Sequence, residues 1–171
     1  MYIKCEDVFC DSDLAFLRDL FGLLDARFDD LQLRIDGSPD PDSMGLFDEG
    51  EYLSGMGFVA CQRYLASTYG PHGVSKDIAM RLGPKHAGGE PVVRIINAAA
   101  NYWKHVDEWD QQTLGARQKD TIRIIETVTD WEDYTCSNLL AYLTLPTGPR
   151  FEGLVPMLEA WRCELDSISV G

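Results

Sequence analysis

Residues 12–35 read SDLAFLRDLFGLLDARFDDLQLRI, and this stretch decides the fold class. Its large apolar residues recur at alternating intervals of three and four, at Leu14, Leu17, Phe21, Leu24, Phe28, Leu31 and Ile35. That spacing places them on one side of an α-helix, and Leu20 and Leu23 widen this side toward the core of a helical bundle. The stretch therefore predicts a long helix that packs against the helices containing residues 92–106 and 154–168.

The same periodicity predicts further helices, separated by turns that are rich in proline and glycine. No stretch alternates with period two over the length of a strand. Gly55 and Gly57 weaken helix propensity, but they would allow a neighbouring helix to approach closely. We expect an all-α protein of one domain, residues 1–171, in which four main helices form an antiparallel bundle with short accessory helices. The additional helices are predicted over residues 47–69, 75–82, 91–109, 116–128, 137–145 and 156–167.

The composition excludes several protein classes. Hydrophobic residues make up 45% and charged residues 25% of the 171 residues, which is ordinary for a globular protein. No apolar run approaches the roughly 18 residues of a transmembrane helix, and the N-terminal residues do not resemble a signal peptide. The five cysteines and three histidines show neither disulfide nor zinc spacing. We therefore expect a cytoplasmic protein with no membrane contact, no metal and no other cofactor.

Charge is unevenly distributed along the chain, whose formal net charge is −13. Residues 1–50 contain thirteen acidic and four basic residues, a balance of −9. Residues 63–123 contain nine basic and six acidic residues, a balance of +3, together with all three histidines. The overall acidity argues against indiscriminate nucleic-acid binding. The basic window could nevertheless receive an anionic ligand or the acidic N-terminal part of a second copy.

The helix predicted over residues 91–109 carries a polar stripe of chemically useful residues. At 100° per residue, five side chains lie within about 60° of one another: Arg94, Asn97, Asn101, His105 and Glu108. Such side chains could transfer a proton, orient a hydroxyl group or bind a phosphate. An ordinary solvated helix face has the same pattern, so both interpretations stay open. No P-loop, dinucleotide-binding, nucleophile-elbow or zinc-protease motif occurs, which disfavours the corresponding enzyme classes.

Within this helix, residues 97–109 read NAAANYWKHVDEW and resemble the signature helix of HEPN-superfamily proteins. These are small helical bundles of bacterial defence and toxin–antitoxin systems. In them an arginine, a polar residue and a histidine form a metal-independent ribonuclease site, and two copies pair so that both motifs face one cleft. Asn101, Lys104 and His105 match the polar-then-histidine end of that pattern. Ten residues separate Arg94 from His105, more than in the family pattern.

The resemblance implies a metal-independent endoribonuclease, or a degenerate relative of one, in a bacterial or phage conflict system. In an active protein, His105 would take the proton from a ribose 2′-hydroxyl, and Asn101 would orient the phosphate. Arg94 or Lys104 would stabilise the negative charge of the phosphorane.

Two partner types follow from the sequence. A homodimer is expected, because the apolar bulk of four tryptophans exceeds what so small a core needs: Trp103, Trp109, Trp131 and Trp161. The acidic residues 1–50 support a second hypothesis, a non-enzymatic binding protein such as an inhibitor, immunity protein or antitoxin-like module. That protein would occupy the basic surface of a partner, whereas the ribonuclease would bind RNA.

Overall fold

This computed structural model describes residues 2–5, 8–110, 112–130 and 133–169. The described residues contain seven α-helices, one β-hairpin and two short 3-10 turns. The all-α prediction is confirmed, because most described residues are helical. Of the helices described, none is both long enough and apolar enough to cross a membrane. The helices are α1 (Ser12–Asp36), α2 (Leu46–Tyr69), α3 (Lys76–Ala79), α4 (Val92–His105), α5 (Ala116–Ile125), α6 (Thr135–Leu143) and α7 (Val155–Ser169).

The β-hairpin was not predicted. Its strands, β1 (Tyr2–Cys5) and β2 (Val8–Asp11), pair antiparallel with Tyr2 opposite Asp11. Each strand has four residues, which is too short for a period-two pattern to be recognised. The hairpin leads directly into α1, because the Asp11 carboxylate accepts a hydrogen bond from the backbone nitrogen of Leu14 at 3.0 Å and caps the helix.

The buried side of α1 contains most of the predicted stripe: Leu14, Leu17, Phe21, Leu24, Phe28 and Leu31. Leu20 and Leu23 lie outside this core, and Leu23 is 68% exposed. Together with the exposed Phe16 they form a second apolar stripe, about 100° around the helix from the first. The prediction that Leu20 and Leu23 widen the core side is therefore wrong, because the elements that pack on α1 cover only the first stripe.

α1 packs mainly against α2 and then against the 3-10 turn of residues 151–154, whereas we expected the helices containing residues 92–106 and 154–168 as its partners. The two helices run antiparallel, as contacts at both ends show. At one end the Tyr64 hydroxyl donates to Asp11 at 2.8 Å, and at the other Arg34 donates to Glu49 at 2.7 Å. The expectation did not include α2, because periodicity identifies a buried face but not what covers it.

Phe151, in the 3-10 turn Phe151–Leu154, joins α1 and α2 in the centre of the core. Its ring lies 5.1 Å from that of Phe21 and 5.7 Å from that of Phe58, measured between centroids. Gly57 makes room for it, since a Cβ at this position would come within 2.0 Å of the Phe151 ring. The glycine therefore permits close approach, as expected, but of an aromatic ring.

α4 lies against α2 as well, and Gly55 makes this contact possible. A Cβ on Gly55 would come within 2.1 Å of the Trp103 ring. The helix ends at His105, four residues earlier than predicted, and continues as a 3-10 turn, Val106–Glu108. The early end is consistent with the carboxylates of Asp107 and Glu108, because negative charge is unfavourable at the C-terminal end of a helix dipole.

The tryptophans have different environments. Trp161 is fully buried, and its indole nitrogen donates to the carbonyl oxygen of Ala79 at 2.8 Å. Trp103 and Trp109 are partly buried and pack against the core. Trp131 lies outside the described residues. Much of the aromatic bulk that suggested a homodimer is thus used within the core of one chain.

Candidate functional site

α4 presents its polar stripe toward α2, α3 and α5, while its other side anchors it in the core. Arg94, Asn97 and Asn101 are half-buried, and Lys104 and His105 are exposed. Because the anchoring side chains are buried and closely packed, the stripe is carried on a fixed backbone. The anchoring residues are Val92, Val93, Ile95, Ile96, Ala98, Ala99, Ala100 and Tyr102.

At the N-terminal end of the stripe, Arg94 is held by carboxylates. Its guanidinium donates to Glu90 at 2.9 Å and lies 3.4 Å from both carboxylate oxygens of Asp120 in α5. Arg123 completes the network, with contacts of 3.0 Å to Glu90 and to Asp120. Hydrogen bonds to Asp120 and Glu90 raise the pKa of Arg123 above its usual value. Two guanidinium groups thus balance two carboxylates and fasten α5 to α4.

In the middle of the stripe, Gln62 of α2 organises two asparagines and a lysine. Its amide nitrogen donates to the side-chain oxygens of Asn97 at 3.0 Å and Asn101 at 2.9 Å, and its oxygen accepts from Lys104 at 2.6 Å. Lys104 therefore joins this group, although helix geometry alone places its Cα–Cβ direction about 100° from that of His105. With their oxygens engaged, Asn97 and Asn101 keep their NH₂ groups as donors for a ligand.

At the C-terminal end, His105 contacts Glu108. Its Nδ1 lies 3.3 Å from a carboxylate oxygen of Glu108, and the imidazole is 50% exposed. The carboxylate can only accept, so Nδ1 donates, and Nε2 of the neutral ring is left as a proton acceptor. This tautomer is the one that a general base requires.

Three adjoining cavities, of about 320, 420 and 590 Å³, lie along the stripe. Lys76 of α3 and Asn101 of α4 line all three. The first cavity extends to Arg94, the second to Lys104 and the third to His105. We call the three cavities together the basic groove.

Five cations that line the basic groove form no ion pair within the described residues: Arg63, Lys76, Arg81, Lys104 and Arg117. The groove also contains three carboxylates, but two of them are engaged, since Asp120 binds Arg94 and Glu108 binds His105. Asp77 is the third and is exposed. The groove therefore keeps a positive balance within an acidic protein, and a negatively charged ligand would fit it.

The pKa of Lys104 reflects this excess of positive charge. Burial lowers its pKa below the usual value for a lysine, and the positive charge of Lys76 lowers it further. Two ammonium groups that repel each other, with no carboxylate between them, are stabilised when an anion binds both.

The structure brings together some of the predicted site residues and separates others. Asn101 and His105 line one cavity, and Asn101 also shares cavities with Arg94 and with Lys104. Arg94 and His105 share no cavity, because eleven residues of rise place them about 16 Å apart along the helix.

Among the groove residues that were missed from the sequence are Gln62, Lys76 and Arg117. They come from α2, α3 and α5, so no spacing along α4 could identify them. The positive balance of residues 63–123 was the one sequence feature that pointed to the two cations. Gln62 lies just outside that window and had no recognisable pattern.

Among the described residues, no group of three histidine, cysteine, aspartate or glutamate side chains is arranged to hold a metal ion. Comparisons with protein-family models, with curated proteins and with solved structures gave no match. The resemblance of residues 97–109 to the HEPN signature helix therefore stays a prediction.

Proposed function

We propose that the protein binds RNA in the basic groove and cleaves it without a metal ion. One observation carries this proposal: five cations that form no ion pair with the described residues line the groove that contains Asn101 and His105. Phosphate is the anion that a row of lysine, arginine and amide donors fits. A phosphodiester chain supplies several phosphates in a row, as a groove made of three joined cavities requires.

His105 is the general base of the proposed reaction. Its Nε2 takes the proton from the ribose 2′-hydroxyl, whose oxygen attacks the adjacent phosphorus. The 5′-oxygen leaves on the opposite side of the phosphorus and takes a proton from water, so that a 2′,3′-cyclic phosphate and a 5′-hydroxyl are formed, and the imidazolium then releases its proton to solvent. Glu108, bound to Nδ1, holds the ring in the required tautomer.

The charge that develops on the phosphorane is stabilised by donors fixed before the reaction. Lys76 and Arg117 line the same cavity as His105 and form no ion pair with the described residues. The NH₂ group of Asn101 orients the phosphate. We assign Arg94 a supporting role, because Glu90 and Asp120 already neutralise its guanidinium.

The wider proposal keeps what the resemblance implied. We propose that the chain is a cytoplasmic, HEPN-like protein of a bacterial or phage conflict system. Its four longer helices form an antiparallel bundle in this proposal. A homodimer is part of it, now supported by the exposed stripe of Phe16, Leu20 and Leu23 on α1. Light scattering should report about twice the 19.2 kDa of one chain at micromolar concentration. A mass near that of one chain would remove the dimer from the proposal.

The decisive experiment compares two double variants that lose equal charge. Lys76→Ala with Arg117→Ala removes cations inside the groove, and Lys85→Ala with Lys119→Ala removes exposed cations outside it. A 2′-O-methyl RNA, which has no hydroxyl to attack phosphorus, serves as the binding probe. The groove variant should bind it at least about tenfold more weakly than wild type, with a salt dependence reduced by about two phosphate contacts. The control should change little.

Cleavage of unmodified RNA in the presence of EDTA tests the catalytic part. Wild type should produce 2′,3′-cyclic phosphate ends, and the groove variant should not. If wild type binds no RNA, or if both double variants lose affinity equally, the groove is not an RNA site.

A second candidate function is the non-enzymatic binding of a basic partner protein. The observation that favours it is the series of exposed carboxylates along α1 and the segment that follows: Asp19, Asp29, Asp30, Asp36, Asp40, Asp42 and Asp48. A partner bound there should be released by salt and should be unaffected by Lys76→Ala with Arg117→Ala. RNA bound in the groove responds to that variant, so the same reagent separates the two functions.

A further inference from the structure

We infer that Tyr52 and Trp103, beside the basic groove, form a binding site for an unpaired nucleobase. The inference rests on the proposed function, because the base belongs to the RNA whose phosphates lie in the groove. It adds what the groove alone does not provide, a means of distinguishing single-stranded from paired RNA.

A fourth cavity, of about 730 Å³, continues the basic groove on the side of α2. Lys104 and Val59 line both this cavity and the 420 Å³ cavity of the groove. An RNA strand that lies along the groove therefore passes directly from cationic side chains to the surface around Tyr52 and Trp103.

The aromatic pair has the geometry of a stacking surface. The Tyr52 ring lies 4.8 Å from the Trp103 ring at an interplanar angle of 83°, and this perpendicular contact fixes its orientation. Trp103 is in turn held against Gly55, where no Cβ could fit. Tyr52 remains 63% exposed, so a large ring surface is fixed in position and open to a ligand. Exposed Met56 and half-buried Val59 extend the apolar wall.

The charges around this cavity orient the strand. Asp48 and Asp107 line it and repel phosphate, so the backbone stays at the Lys104 side and the base points toward Tyr52. The third carboxylate, Glu51, is already engaged, since its two oxygens accept from the backbone nitrogens of Cys136 and Ser137 at 2.8 Å each. Asp48 and Asp107 remain as acceptors for the amino groups of bases.

Binding measurements with four probes test the inference. The probes are a 2′-O-methyl single-stranded oligonucleotide, its abasic counterpart with the same number of phosphates, the corresponding duplex, and inorganic polyphosphate. Tyr52→Ala should weaken binding of the single strand by about five- to 150-fold, the range for loss of one base–aromatic stack. Binding of the abasic strand and of polyphosphate should be unchanged.

Two further variants control for structural effects. Tyr52→Phe keeps the ring and should bind the single strand as wild type does. Tyr142→Ala removes another exposed tyrosine, on α6, and should have no effect. Wild type should also prefer the single strand to the duplex, because paired bases cannot reach Tyr52.

The outcomes separate this inference from the proposed function. The base site is refuted, while the phosphate groove stands, if Tyr52→Ala weakens binding of the single strand and of the abasic strand equally. The same holds if the duplex binds as tightly as the single strand. If wild type binds neither oligonucleotides nor polyphosphate, the groove itself is refuted, and the base site with it.

Discussion

The two ends of the α4 polar stripe carry cations in opposite environments. At the N-terminal end, Arg94 binds Glu90 and Asp120 and connects α4 to α5. Toward the C-terminal end, Lys104 forms no ion pair with the described residues, and burial together with the positive charge of Lys76 lowers its pKa. The difference shows that one helical stripe can divide into a half that stabilises the fold and a half that is left for a ligand.

The open end is unusual for this chain, in which 28 acidic residues face 15 lysines and arginines. With so many carboxylates available, surface arginines elsewhere have found partners. Arg18 binds Glu159 at 2.7 Å and Arg162 binds Asp11 at 2.7 Å. Of the arginines described, the three that form no ion pair all line the basic groove: Arg63, Arg81 and Arg117. This distribution supports the proposal that the groove receives an external anion.

The largest effect that would separate the two ends is expected for His105→Ala. Loss of a general base lowers the rate of catalysis by about 10²–10⁴-fold, and RNA cleavage in EDTA should fall by that factor. The melting temperature should stay nearly constant, because His105 is half exposed and its one described hydrogen bond is to the exposed Glu108. Rate measurements and thermal melts on the same preparation check both parts.

His86→Ala is the matched control, since His86 lies in a loop and lines none of the three cavities of the basic groove. It should leave both the rate and the melting temperature unchanged. A stable His105→Ala variant with full cleavage activity would place the chemistry elsewhere, and equal losses in the two variants would point to a nonspecific effect.

Much of the fold could be predicted from the sequence, because helix periodicity is a local property. The six buried apolar residues of α1 were identified from spacing alone. What spacing could not give was the extent of burial around the helix, so Leu20 and Leu23 were assigned to the core. The covering of a helix depends on its neighbours, and these are fixed only by tertiary packing.

The candidate site was predictable in the same way: its residues on one helix could be identified, but their tertiary contacts could not. The site residues on α4 were identified mainly because they share a helix face. By that criterion Arg94 and His105 were equally good candidates for catalysis. Their different roles depend on carboxylates from Glu90 and Asp120 at one end and on Lys76 at the other. Only the contact between Arg94 and Glu90 is local in sequence. The contacts with Asp120 and Lys76 are tertiary, so the residue pattern of α4 does not reveal them.

An intermediate effect, on stability, should distinguish the ends directly. Arg94→Ala removes a half-buried member of the network with Glu90 and Asp120, and we expect a loss of about 1 kcal/mol in the free energy of unfolding. Lys104→Ala should change that free energy by less than about 0.5 kcal/mol, because it removes repulsion from Lys76 along with one hydrogen bond. Urea unfolding followed by circular dichroism measures both values. Equal losses would mean that the two cations serve the fold alike.

The smallest expected effect is a shift in the pH dependence of RNA binding, tested with Lys104→Arg. Only the protonated ammonium of Lys104 attracts phosphate, so affinity should fall as pH rises through its pKa. Burial and Lys76 lower that pKa from the ordinary 10.5, so the fall should begin at a lower pH than for a typical lysine. A guanidinium stays protonated throughout this range, and the variant should keep its affinity to higher pH, by a few-fold at most. Because 2′-O-methyl RNA has no free 2′-hydroxyl, it withstands alkali and can be titrated across the whole window. Lys85→Arg, outside the groove, should retain the wild-type profile. If Lys104→Arg does so too, Lys104 does not contact the phosphates.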